Sequence, residues 1–215
     1  MPFKDASKAL VAGSPILVFD DSEREGETDI FFSAKHVTPA SIRFLREHGG
    51  GMVFLASDNI ATQKLGLPFA HDIYHAASHD SKEFDILETM LGHTLPYDTR
   101  SSFSLFINHK DTFTGITDND RALTSRSFAE LIQNSAHMSD KDSRTRMAQS
   151  FRIPGHVPVC IADRKLLQNR QGHTELIVAL MKAADLTPVA LGCEMLANNG
   201  NALSSEEARI WAREQ

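Results

Sequence analysis

Residues 16–29 read ILVFDDSEREGETD, an apolar run that leads directly into a loop crowded with carboxylates. The run Ile16–Phe19 predicts a short buried strand. Six of the ten residues from Asp20 to Asp29 are acidic. If the loop were extended, alternate residues would place Asp21, Glu23, Glu25, Glu27 and Asp29 on one face. Crowded carboxylates suit a hard divalent cation such as Mg²⁺, although a solvated acidic turn explains the pattern equally well.

Outside this stretch, strands and helices mix without regular β-α-β alternation. This favours an α+β fold with a mixed sheet flanked by helices, in a single domain over residues 1–215. Strands are predicted at 16–20, 52–56, 102–108, 157–162 and 188–193. Helices are predicted at 38–48, from 58 to about 66, from 117 onward, at 174–184 and at 206–213. Residues 69–99 show little periodicity and predict a long excursion, while the polar residues 135–150 predict a connecting segment.

The composition excludes several classes of protein. The chain has 215 residues, of which 41% are hydrophobic and 23% charged, as in ordinary globular proteins. A net charge of −6 argues against non-specific binding to nucleic acid or to an anionic membrane. No apolar run is long enough to span a membrane, and no signal peptide is evident. Cys160 and Cys193 lie in apolar surroundings, which predicts buried reduced thiols in a cytoplasmic protein. Ten histidines are the one compositional outlier.

Two histidines stand in constrained motifs. Pro154–Pro158 (PGHVP) predicts a turn that holds His156 ahead of a strand, suited to a reactive imidazole or to an incidental turn. Arg170–Glu175 (RQGHTE) precedes an amphipathic helix, where backbone N–H groups favour an anion. His173 there is a candidate metal ligand, and ordinary helix capping is the alternative reading.

Two further stretches carry polar residues at positions where chemistry can occur. Glu194 ends the apolar run 189–193, so its pKa is expected to be perturbed, unless a structural ion pair explains it. Residues 112–121 form a hydroxyl-rich stretch with acidic side chains, able either to bind a polyol or phosphate or to cap the next helix.

Taken together and in order, five stretches resemble the 3,4-dihydroxy-2-butanone 4-phosphate synthase family of riboflavin biosynthesis. They are Asp20–Asp29 (DDSEREGETD), Phe113–Arg121 (FTGITDNDR), Pro154–Pro158 (PGHVP), Arg170–Glu175 (RQGHTE) and Cys193-Glu194. The sequence EREGETD is similar to that of the archaeal branch of the family. Nothing resembles the cyclohydrolase half of bifunctional relatives, so a monofunctional protein is expected.

The resemblance implies a lyase that converts D-ribulose 5-phosphate into L-3,4-dihydroxy-2-butanone 4-phosphate and formate. It also implies Mg²⁺ or Mn²⁺, up to two ions per site, and a homodimer with active sites at the subunit interface. The implied metal ligands are Glu25 and His173. The implied substrate contacts are Arg24, Glu25, Asp29, Thr114, Arg170, Gln171, Gly172, His173 and Thr174. The implied catalytic residues are Glu25, Glu27, Asp120, His156 and Glu194.

Two alternative functions would use the same residues. A metal-dependent sugar-phosphate isomerase or aldolase needs the same metal and phosphate sites but releases no formate. A non-catalytic protein that binds a divalent ion or a phosphometabolite would keep the scaffold without turnover.

Residues 73–97 contain no motif that aligns with the family, so their role stays open.

Overall fold

The computed structural model describes residues 3–215, which contain six strands and nine α-helices. The strands are β1 (Ile16–Phe19), β2 (Thr28–Ser33), β3 (Phe54–Ser57), β4 (Phe103–His109), β5 (Phe151–Ile161) and β6 (Val189–Glu194). The helices are α1 (Phe3–Val11), α2 (Pro39–His48), α3 (Asn59–Lys64), α4 (Ala70–Asp80), α5 (Ile86–Leu91), α6 (Asp118–Ser135), α7 (Asp140–Ser150), α8 (His173–Ala183) and α9 (Ser205–Glu214).

All six strands form one mixed sheet in the order β1-β2-β6-β3-β5-β4. The β3–β5 pair is parallel, and the other neighbouring pairs are antiparallel. The α+β fold with a mixed sheet is therefore confirmed. No helix in the part of the chain that the structure describes is long and apolar enough to cross a membrane.

Both faces of the sheet are buried, because alternate strand residues point to opposite sides. In β2, Ile30 packs into one core cluster with Phe128 of α6, and Phe31 packs into the other with Ile177 of α8. All four side chains are fully buried. Two hydrophobic layers thus fix the sheet between helices and leave the strand ends free to carry polar residues.

The helix starts predicted from capping residues agree with the structure. Thr38 caps α2 in a reciprocal capping box with Ser41, and Pro39 occupies the first turn. Asp58 caps α3, and Thr117 caps α6 by accepting from the backbone N–H of Asp120. The other predicted helices and strands also exist, with ends that differ from the predicted ones by a few residues.

Several local predictions were wrong, each for a physical reason. The excursion 69–99 contains α4 and α5, neither of which has a buried residue, so no apolar periodicity marked them. Residues 135–150 include the polar helix α7 rather than a connecting segment. PGHVP lies inside β5 instead of ahead of it. Strand β2 was not predicted, because it is buried along its whole length and lacks alternation. Helix α1 was also not predicted.

Candidate active site

The acidic loop is the connection of the β1–β2 hairpin, in which Phe19 pairs with Thr28. The buried carboxylate of Asp20 accepts hydrogen bonds from the backbone N–H groups of Glu25 (3.2 Å) and Glu27 (3.1 Å). Gly26 adopts φ +65°, a left-handed conformation that favours glycine. The loop therefore turns back on itself around Asp20 and is not extended.

Because the loop turns, the predicted single face of five carboxylates does not form. Asp21 and Glu23 are exposed, whereas Glu25, Glu27 and Asp29 line a cavity. The register of β2 against β6 places Asp29 directly opposite Glu194, so two neighbouring strands each bring a carboxylate to the same place.

His173 meets these carboxylates from the first turn of α8. Its Nδ1 lies 3.2 Å from Oε2 of Glu25, and its Nε2 lies 3.0 Å from the carbonyl oxygen of Glu27. Oδ1 of Asp29 lies 3.7 Å from the same Nε2. The imidazole is thus surrounded by oxygen atoms from the hairpin loop and from β2.

The ligating atoms of Asp20, Glu25 and His173 all lie within 4.8 Å of one another, as in a metal-binding group. The buried Oδ1 of Asp29 also has no hydrogen-bond partner. An ionised carboxylate is costly to bury without a partner, and a bound cation would offset that cost. The residues present therefore fit a hard divalent cation, which prefers carboxylate oxygens and accepts an imidazole nitrogen.

The pKa values of these groups diverge because burial and charge oppose each other. Burial raises the pKa of Asp29 to about 8 and also raises those of Glu27 and Glu194. Burial alone would raise the pKa of Glu25, but hydrogen bonds from His173 and Arg24 lower it to about 2. Burial likewise opposes protonation of His173, yet the surrounding carboxylates raise its pKa to about 9. The cluster as a whole favours bound positive charge.

Two arginines form the other wall of the cavity. Arg24 contacts Asp20 (3.0 Å), Glu25 (2.9 Å) and Asp98 (3.4 Å). Arg170 pairs with Asp98 through Nε and with the fully buried Glu175 through Nη1. Asp98 therefore joins the two guanidinium groups and fixes their positions.

The cavity has a volume of about 460 Å³, enough for a small phosphorylated molecule. Thr174 lies on its wall in the first turn of α8, where free backbone N–H groups favour anions. Leu95 and Tyr97 of the excursion 69–99 close one side, and Arg24 lies over the Tyr97 ring at 5.2 Å from its centroid. Cys160 also lines the cavity, and burial raises the pKa of its thiol to about 12.

A second polar cluster forms around Asn108 of β4. The Asn108 side chain accepts from the backbone N–H of His156 (2.8 Å) and lies 3.1 Å from its Nδ1. It also reaches the carbonyl oxygen of Thr114 at 3.5 Å. The carboxylate of Asp120 accepts from the backbone N–H of Gly115 at 2.8 Å. Three predicted residues are therefore brought together here, and none of them lines the cavity.

The structure thus divides the predicted site residues into two groups. Those that line the cavity are Arg24, Glu25, Glu27, Asp29, Arg170, His173, Thr174 and Glu194. Those that do not are Thr114, Asp120, His156, Gln171 and Gly172. Gln171 is exposed, while the buried Gly172 lies beneath both arginines. The sequence analysis missed Asp20 as a ligating group, and it missed Asp98 and Asn108 entirely.

The fold and this cavity define an α+β enzyme whose site suits a divalent cation and a small anionic substrate. Comparison with known proteins makes this specific, because a family model described as 3,4-dihydroxy-2-butanone 4-phosphate synthase matches residues 4–215. The chain belongs to that family, which comprises lyases of riboflavin biosynthesis.

Individual relatives agree over the full length. A 3,4-dihydroxy-2-butanone 4-phosphate synthase of Archaeoglobus fulgidus is 43% identical, and the match covers 100% of this chain and 88% of the relative. One of Methanothermobacter thermautotrophicus is 42% identical, covering 98% and 88%. The solved synthase of Candida albicans matches with a TM-score of 0.71 and 25% identity, covering 100% and 90%. Another synthase structure, in complex with two magnesium ions, has a TM-score of 0.71 and 23% identity, covering 98% and 88%.

Proposed function

We propose that this protein converts D-ribulose 5-phosphate into L-3,4-dihydroxy-2-butanone 4-phosphate and formate. The observation that carries the proposal is the contact between Glu25 and His173, 3.2 Å apart in a cavity that also holds Arg170 and Thr174. One side of the cavity can hold a cation and the adjoining side an anion. Membership of the synthase family supports the same reaction.

Glu25 and His173 would hold Mg²⁺ or Mn²⁺, and Asp20 lies close enough to contribute. The solved relative that binds two magnesium ions supports this choice and the expectation of up to two ions per site. A bound cation supplies Lewis-acid stabilisation of negative charge on substrate oxygens. Because few protein side chains would hold the cation, oxygen atoms of substrate and water would complete its coordination.

The protein's own side chains bind the substrate at its two ends. Arg170 and Thr174 anchor the phosphate, and Arg170 is held in place by the buried Glu175. This contact supplies binding energy remote from the reacting carbons. Asp29 orients substrate hydroxyl groups next to the acidic cluster.

The reaction needs several proton transfers. A proton leaves carbon 3 to give an enediol, and water leaves from carbon 1. The carbon skeleton then migrates, and water adds before carbon 4 departs as formate, so no water is lost overall. Glu25, Glu27, His156 and Glu194 are the groups we assign to these steps together. Burial raises the pKa values of Glu27 and Glu194, which moves them toward the working range of a general acid or base.

A homodimer with active sites at the subunit interface would bring His156 to the cavity of the partner subunit. Large apolar side chains surround the Asn108 cluster and are exposed in the single chain, namely Phe106 (43%), Phe113 (93%), Ile116 (51%) and Ile153 (58%). Such a group of exposed apolar residues is typical of a surface that is covered in an assembly. We assign Thr114 and Asp120 to this shared site as well.

Complementation between two inactive variants tests the shared site. Co-expressed Glu25→Gln and His156→Gln chains are expected to regain roughly a quarter of wild-type activity, because half of the dimers are mixed and each contains one intact site. Mixed dimers that stay as inactive as either parent would contradict an active site built from two subunits.

The proposed catalytic unit is a single domain over residues 1–215, supported by the one sheet that both core clusters share. We place it in the cytoplasm. Cys160 and Cys193 are both free and buried, and free thiols persist in a reducing compartment.

Formate production from D-ribulose 5-phosphate tests the function directly. Formate is expected with Mg²⁺ and lost with EDTA, and it should return when Mg²⁺ is added in excess. Consumption of substrate without formate would instead indicate an isomerase or aldolase. Cation binding without any consumption would indicate a non-catalytic binding protein.

A further inference from the structure

Helix α4 carries a row of three histidines outside the cavity. His71, His75 and His79 recur every four residues and therefore share one face of the helix. The rings of His75 and His79 are close to parallel, with an angle of 29° between their planes and 4.3 Å between their centroids. The centroids of His71 and His75 are 6.3 Å apart. His75 and His79 are exposed, and none of the three lines the cavity.

The hydrogen bond made by His79 determines which of its two ring nitrogens can bind a metal. Nδ1 of His79 lies 2.9 Å from the carbonyl oxygen of His75, which can only accept, so Nδ1 carries a proton. In the neutral ring, Nε2 then keeps its lone pair and can ligate a metal. A backbone carbonyl that holds the other nitrogen is the usual arrangement for metal-ligating histidines.

The spacing of the rings favours the His75–His79 end of the row over the His71 end. Nδ1 of His71 lies 3.4 Å from Oδ1 of Asp72, and Nη1 of Arg100 lies 3.5 Å from the same oxygen. Arg100 thus offsets the negative charge of the Asp72 carboxylate beside His71, so this carboxylate gives the His71 end little attraction for a cation. The shorter ring separation of His75 and His79 favours the same end.

We propose that His75 and His79 bind one divalent transition-metal ion, of which Zn²⁺ is the probe of choice. Imidazole nitrogen favours Zn²⁺, Ni²⁺ or Cu²⁺, whereas Mg²⁺ prefers oxygen ligands, so this site is chemically distinct from the acidic cavity. Within residues 3–215, the one group of three or more ligating side chains lies in the cavity. Water therefore completes the coordination at α4.

Calorimetric titration of Zn²⁺ into the full-length protein saturated with Mg²⁺ tests the site. His75→Gln and His79→Gln should each lower the Zn²⁺ affinity of this site about tenfold or more, because each removes one arm of a chelate. His71→Gln and the exposed, isolated His137→Gln are the matched controls and should stay within about threefold of wild type. Any Zn²⁺ that enters the cavity contributes equally in all five proteins, since no substitution touches it.

Equal Zn²⁺ affinity in all five proteins would overturn the proposal. A loss in His71→Gln as large as that in His79→Gln would also overturn it, because the ion would then lie on the other pair. Ring-proton shifts in wild-type protein give a second readout without any variant. Zn²⁺ is expected to shift the ring signals of His75 and His79 and not those of His137, and unchanged signals for the pair would refute the assignment.

Discussion

Replacement of Gly172 by alanine is expected to displace both arginines of the cavity while leaving the fold intact. Gly172 is the N-cap of α8 with φ −80° and ψ 167°, a conformation open to any residue. A Cβ atom there would lie 2.5 Å from Nη1 of Arg170 and 3.0 Å from Cζ of Arg24. Since comfortable contacts between such atoms are about 3.5 Å, the Arg170 guanidinium must move by about 1 Å.

That displacement pulls Arg170 from Asp98 and Glu175 and away from the proposed phosphate position. The loss of one charge-assisted hydrogen bond costs about 1.5–3 kcal/mol, which lowers kcat/KM by about 10- to 100-fold. The free energy of unfolding should fall as well, because Glu175 is buried and loses part of its pairing. Alanine restricts the unfolded chain and stabilises by about 0.4–1 kcal/mol, which offsets only part of that cost.

The assay is formate release over a range of D-ribulose 5-phosphate concentrations, with thermal unfolding measured in parallel. Gly92→Ala is the matched control, because its Cβ would contact backbone oxygens at 3.4 and 3.6 Å and its φ is −70°. We expect the control to keep wild-type kcat/KM. Wild-type kcat/KM in Gly172→Ala would refute the idea that these arginine positions matter for turnover.

Three further predictions follow from burial and charge. Glu25→Gln should weaken Mn²⁺ binding by about 10-fold or more, measured by calorimetry, whereas Glu23→Gln in the exposed part of the same loop should not. Burial raises the pKa of Cys160 to about 12 and that of Cys193 to about 11. Iodoacetamide at neutral pH should therefore label neither thiol until the protein is unfolded, and rapid labelling of the folded protein would contradict this. Phe128→Ala should lower the free energy of unfolding by about 3–5 kcal/mol in denaturant titrations, because Phe128 is fully buried, and a loss below 1 kcal/mol would show that the core relaxes around it.

Elements with an apolar run or a helix cap could be predicted from the sequence, and elements without them could not. Thr38 and Thr117 predict the starts of α2 and α6, because the capping hydrogen bonds are made to residues close by in the sequence. Helix α4 has no buried residue, so its sequence contains no apolar stripe to detect. It packs against the next helix, α5, and against β4, and such contacts between elements leave no pattern within the sequence of α4 itself.

At the candidate site, too, the sequence predicted some residues and not others. Motif resemblance selected Glu25 and His173, and the structure brings them together. The two-residue periodicity of the acidic loop failed, because the Asp20 side chain and the left-handed Gly26 turn the backbone. Asp98 could not have been found, since its importance arises from two arginines that approach from opposite ends of the sequence.

The contact between Glu25 and His173 spans 148 residues of chain, while the loop that presents Glu25 is closed by its own hairpin. We therefore expect the two halves of the cation site to form at different stages of folding. The hairpin can form from local contacts, whereas docking of α8 requires closure of a long segment of chain, which is slow. In that case, high-affinity cation binding would report the completion of folding, because a chain in which α8 has not docked lacks His173 at the site.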